Sequence, residues 1–136
     1  MWRDNTPQAV IRYFDSLNAE DWADMRRIWT LDSELRAVGA HPRSGLEDVV
    51  GYFSKLFIPW REHHDTPTRI IVSGETVVTE VTFTGTTGDG RTVTFDAVDV
   101  FDLRDGRIRR LSNWYDVAYA RKMIAPAAPS AAHPSA

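Results

Sequence analysis

The segment Phe95-Asp96-Ala97-Val98-Asp99-Val100-Phe101-Asp102 alternates with a period of two. As a strand it sends Phe95, Ala97, Asp99 and Phe101 to one face and Asp96, Val98, Val100 and Asp102 to the other. Whichever face is buried, a carboxyl must sit among apolar groups. An ionised carboxylate there is costly, so it pairs, accepts hydrogen bonds or keeps its proton with a raised pKa. Those are properties of an acid-base group and equally of a carboxyl in a structural network, and spacing leaves both roles open for Asp99. The segment Leu111-Ser112-Asn113-Trp114-Tyr115-Asp116 alternates likewise and sends Asn113 and Tyr115 to one face, as polar groups of a pocket or as packing residues. His63-His64-Asp65 gathers metal-ligand types, but chain neighbours diverge and ligands at helical spacing are missing around it. It reads as a solvated turn, or as one histidine hydrogen-bonded to Asp65 at a pocket rim, and no metal is assigned.

Much other chemistry is excluded. The chain has no cysteine, which removes thiolate nucleophiles, disulfides, iron-sulfur clusters and Cys-rich zinc sites. It contains no GxGxxG, phosphate-loop, HExxH or GxSxG pattern. Lys55 and Lys122 are its only lysines, neither placed in the expected core to form a Schiff base. A net charge of −3, with basic residues scattered among acidic ones, argues against a nucleic-acid partner. No apolar run approaches the roughly 20 residues of a membrane span, and no leader pattern opens the chain, so no membrane association and a cytoplasmic address are expected.

The elements that must position these groups are legible from periodicity. Thr6-Pro7 opens a helix whose apolar stripe is Val10, Ile11, Phe14 and Leu17, with Tyr13 on or beside it. A second helix is expected over 20–29 and a short strand over 35–38. A third helix is expected after a Ser44/Glu47 capping box, stopped by Pro59. From Arg69 the period becomes two, and strands at 70–73, 76–84, 92–103 and 108–116 form an antiparallel meander joined by Gly-containing turns. Helices segregated from strands make an α+β fold in which a curved sheet wraps three N-terminal helices. The chain, 136 residues with 43% hydrophobic residues, supports one domain over 1–124. The Ala/Pro-rich stretch 125–136 is expected to be a disordered tail.

Several stretches then point to a relative. Arg12-Tyr13 with Leu17-Asn18-Ala19, Pro42-Arg43-Ser44-Gly45, Val98-Asp99-Val100-Phe101, Asp105-Gly106-Arg107-Ile108 and Trp114-Tyr115-Asp116 together resemble the nuclear transport factor 2-like superfamily over about residues 7–120. That superfamily includes ketosteroid isomerases, limonene-epoxide hydrolases and SnoaL-like polyketide cyclases. The resemblance implies a cone-shaped, mostly antiparallel α+β fold. It puts Tyr13 at the isomerases' oxyanion-hole tyrosine and Asp99 at their protonated aspartic acid, a place where the cyclases carry an acid-base aspartate. The isomerase base falls at Arg36-Ala37, and the hydrolase Arg-Asp-Asp set falls on Val81, Phe83 and Asn113, so neither known set is complete.

The resulting expectation is a cofactor-independent acid-base enzyme, a cyclase, isomerase or dehydratase, acting on a hydrophobic polyketide-like or steroid-like carbonyl compound. Asp99 and Tyr13 would bind the oxygen on which charge develops, or Asp99, if ionised, would be the base. His41, or His63 with Asp65, would otherwise supply the base at the pocket mouth. Asn113, Tyr115, Phe53, Phe83 and Arg36 would hold the substrate. A non-catalytic small-molecule-binding or accessory protein is the alternative. Under either, Val98, Val100 and Trp114 on the opposite sheet face are expected to pair two copies as a homodimer.

Overall fold

The computed structural model describes residues 1–126, so most of the expected tail, residues 127–136, lies outside the described residues. Helices α1 (Gln8–Ala19), α2 (Trp22–Arg27) and α3 (Leu46–Leu56) pack on one sheet of six strands: β1 (Trp29–Ala37), β2 (Arg43–Ser44), β3 (Trp60–Ser73), β4 (Thr76–Thr87), β5 (Thr92–Arg104) and β6 (Arg107–Tyr115). The strand order is β2-β1-β6-β5-β4-β3, with β1 and β6 parallel and the other neighbours antiparallel. The expected meander is therefore present. It is extended at one edge by β1 and β2, and a fourth helix, α4 (Val117–Ile124), follows it.

The departures from expectation have local causes. Trp29 leaves the second helix because its backbone registers beside Ile108 of β6, and α2 closes at Arg27. The capping box is not made: Gly45, at φ +90°, is the cap residue of α3, while Glu47 pairs with Arg26 at 2.6 Å and Ser44 belongs to β2. Strand β3 starts ten residues before the expected 70, because all of the long β4 pairs with it, Trp60 opposite Thr87. Pro67 hid this strand, yet β3 is the sheet edge and its ladder shifts register between Pro67 and Arg69, where a missing N–H is tolerated.

The sheet's inner face and α1 enclose an aromatic core of Tyr13, Phe14, Trp29, Phe53 and Phe101, mostly in edge-to-face contacts 5.1–6.2 Å apart. The β5–β6 hairpin turns on Asp105-Gly106, both in the left-handed region at φ 52° and 77°, as the Asp-Gly pair predicts.

Gly85 on β4 is a packing requirement. A Cβ there would lie 2.7 Å from the Trp60 ring and 2.8 Å from the Phe83 ring. Gly85→Ala is expected to destabilise the fold by about 1–3 kcal/mol through overpacking. It should also shift tryptophan emission as Trp60 is displaced. Thermal unfolding with fluorescence detection checks both, and an unchanged midpoint would mean the two rings are free to yield.

Candidate active site

The alternation of β5 holds as read: Phe101 is fully buried and Asp99 is only 2% exposed, both on the inner face. Across the ladder Asp99 stands between Thr79 of β4 and Asn113 of β6. Side chains directly opposite share a face, so Asn113 is placed beside the carboxylate, and its Nδ2 donates to Asp99 Oδ1 at 2.7 Å. Burial pushes the Asp99 carboxyl up to about 6 while the Asn113 bond works in the other direction.

A second carboxyl joins it. On β3 the inward series is His63, Asp65 and Pro67, and Asp65 is opposite Phe83. Because β3 is an edge strand, its free backbone groups at Asp65 need partners. Asn18 supplies them as a neighbouring strand would: Asn18 Nδ2 donates to the Asp65 carbonyl at 2.9 Å and Asn18 Oδ1 accepts the Asp65 N–H at 2.8 Å. The side chain is thereby held into the interior. Burial, and then the charge of Asp99, push the Asp65 carboxyl up to about 8.

Asp65, Asp99 and Asn113 line one cavity of about 160 Å³. Trp60, Phe83, Phe95 and Tyr115 form a continuous aromatic wall with successive ring centroids 5.0–5.2 Å apart, and Tyr52 and Phe57 also line the cavity. Tyr13 lies in the core beneath this site. Its phenol is raised well above the ordinary value, by burial first and then by the charges of Asp99 and Asp65. A larger hollow, about 790 Å³, is an open groove elsewhere. Its Arg12, Arg26 and Arg104 are tied to Asp24, Glu47 and Asp32.

Of the residues singled out from sequence, Asp99, Asn113, Tyr115 and Phe83 meet in the cavity. Phe53 does not line it but packs behind Tyr13 at 5.7 Å. Arg36 and His41 are exposed, Arg36 on β1 and His41 in the β1–β2 connection, and neither reaches the cavity. The ring of His63 is not bonded to Asp65. It stacks on Phe57 at 3.7 Å, and its Nε2 is 3.0 Å from Glu20, so it stands behind a cavity wall. Among the described residues no histidine lines the cavity, whose second carboxyl is that of Asp65. Asp65 itself, seen in the sequence only as a histidine's partner, was detectable from the alternation of 63, 65 and 67. The charged, proline-containing stretch read as a loop instead.

Asn113→Leu removes the one donor that lowers Asp99, so the Asp99 pKa is expected to rise from about 6 by on the order of one unit. Carbon-13 NMR titration of the aspartate carboxyls reads this directly. An unmoved value would separate Asn113 from Asp99 in solution.

The fold has many solved counterparts. An epoxide hydrolase from M. tuberculosis, described as resembling limonene-epoxide hydrolase, superposes with a TM-score of 0.75 at 24% identity over 87% of each chain. A protein with a ketosteroid isomerase-like fold from Catenulispora acidiphila, determined in complex with trimethylamine, gives 0.81 at 14% identity, covering 88% of this chain and 94% of its own. A provisionally named SnoaL-like polyketide cyclase from Jannaschia sp. gives 0.80 at 22% identity, covering 93% and 99%. These likenesses establish the nuclear transport factor 2-like architecture. No curated protein matches the chain. The family model of the SnoaL-like domain, however, matches residues 10–111, a span that holds nearly all of α1, all of α2 and α3, both carboxyls and most of the sheet, and the chain belongs to that family.

Proposed function

We propose that the protein is a cofactor-independent acid-base enzyme that moves a proton on a hydrophobic carbonyl compound, in an isomerisation, cyclisation or dehydration. The observation that carries this reading is the pair of carboxyls, Asp99 and Asp65, facing one apolar cavity in unlike surroundings. Unlike environments divide acid from base. At neutral pH Asp99, near 6 and held by Asn113, is mostly ionised, and Asp65, near 8, keeps its proton. Asp99 takes the proton from the carbon beside the carbonyl. The C–H electron pair becomes the enol double bond, and the carbonyl π pair moves to oxygen, which takes the Asp65 proton. Return of both protons, with carbon protonated at the same or a conjugated position, completes the cycle. Asp99 thus has the second of its two expected roles, the base, and the buried Tyr13 lies within the electrostatic reach of both carboxyls.

The assay is solvent exchange. Small enolisable ketones in D₂O lose their α-proton NMR signals faster with the wild type, at a saturable rate, than with buffer alone. Ketones or phenols that bind without any exchange would make the protein a binding module instead. The same proposal includes a cytoplasmic homodimer. Trp114, 53% exposed beside Val98 on the outer face, is the surface that pairing would cover. Among the described residues no helix is long and apolar enough to cross a membrane.

A further inference from the structure

The C-terminal helix α4 is tied across one side of the cavity. Asp116 caps its start by accepting the Tyr119 N–H at 2.9 Å, and its last residue, Ile124, lines the cavity. Its far end is held by one side chain from the β4–β5 turn. Arg91 Nη1 donates to the carbonyls of Met123 at 2.8 Å and Ala125 at 2.9 Å, and Nη2 donates to that of Ile124 at 2.7 Å. These are the unpaired, partly negative carbonyls at a helix C-terminus, which a guanidinium satisfies well. Asp89 fixes the same guanidinium from the other side, accepting from Nε at 2.9 Å.

With the helix so placed, the cavity measures about 160 Å³. The cavity is half open, and its inner volume is close to the roughly 150 Å³ that accepts a single benzene ring, whereas pockets for drug-sized ligands begin at about 300 Å³. We propose that the site takes a carbonyl compound of one ring, or two fused rings at most, and that Arg91 sets this limit by latching the last turn of α4 over the cavity. The word carbonyl rests on the proposed function. The size limit and the latch do not.

The test is binding measured by tryptophan quenching, for which Trp60 is a reporter in the wall. The ligands are p-cresol, toluene and the four-ring phenol estradiol, against the wild type and Arg91→Ala. Amide hydrogen exchange of α4 is followed in both proteins. The wild type is expected to bind the two one-ring compounds and not estradiol. In Arg91→Ala, α4 should exchange faster, the one-ring compounds should bind about tenfold more weakly as the closed state is depopulated, and estradiol should gain entry. Estradiol binding to the wild type as tightly as p-cresol overturns the size limit. Unchanged α4 exchange and unchanged affinities in Arg91→Ala overturn the latch. Toluene has no oxygen and cannot enolise, so its binding alongside a failed ketone exchange upholds the size limit while the acid-base reading falls.

Discussion

Asp99→Asn is expected to abolish ketone exchange while making the protein more stable above pH 6. The loss of rate follows from removing a general base, on the order of a hundred- to ten-thousand-fold. The gain in stability follows from the sign of the shift. The carboxyl rises from 3.8 in the unfolded chain to about 6 in the fold. Between those values the folded protein holds a proton that the unfolded chain has released. Stability from this group is therefore full below about pH 4, falls as pH rises, and by about pH 6 has been lost in full. A two-unit shift corresponds to roughly 3 kcal/mol. Asparagine carries no such cost and still offers Asn113 an acceptor oxygen, although its own NH₂ group needs a partner and trims the gain. Denaturant unfolding at pH 5 and pH 8 checks this, with the wild type losing more between the two than the variant. A variant less stable at pH 8 that still exchanges ketones would make Asp99 a structural carboxyl. Trading stability for a poised buried charge is what an active site does.

What could be read from the sequence divides along physical lines. Local periodicity reports local structure, so Val10, Phe14 and Leu17 of the α1 stripe, though not the half-exposed Ile11, the β5 alternation with its buried Asp99 and the Asp105-Gly106 turn are visible in the residues themselves. Long-range pairing is not written locally. Trp29 has helix-compatible neighbours and becomes strand because Ile108 lies beside it. Residues 60–68 carry charges and a proline and become strand because β4 needs a partner along its whole length. Two residues of the cavity, Asp65 and Trp60, stand on that stretch and are illegible for the same reason. Asn18 shows the same limit, because its clamp on Asp65 spans helix and sheet and leaves no local pattern. Arg36, His41 and His63 were named for their chemistry, and only the folded chain shows Arg36 and His41 at the surface and His63 behind Phe57.

A bell-shaped pH dependence of exchange, rising near pH 6 and falling near pH 8, is the second large effect, and Asp65→Asn should erase its alkaline side. The two midpoints belong to the pair, because the charge of Asp99 is part of what raises Asp65. With asparagine at 65 the oxygen still meets a hydrogen-bond donor but not a transferable proton. The rate at pH 7 should drop about a hundredfold or more, and what remains should stay level above pH 8. The reciprocal measurement uses Asp99→Asn. Removing that charge should lower the Asp65 pKa below about 8, while burial, its larger cause, keeps it well above 3.8. The stability consequence has the same sign as for Asp99 but a wider window: the contribution of Asp65 is full below about pH 4 and is lost as pH rises to about 8. An alkaline limb that survives in Asp65→Asn would assign it to another acid. The phenols of Tyr13 and Tyr52 are held above their ordinary value of 10.0, too high for a limb near 8.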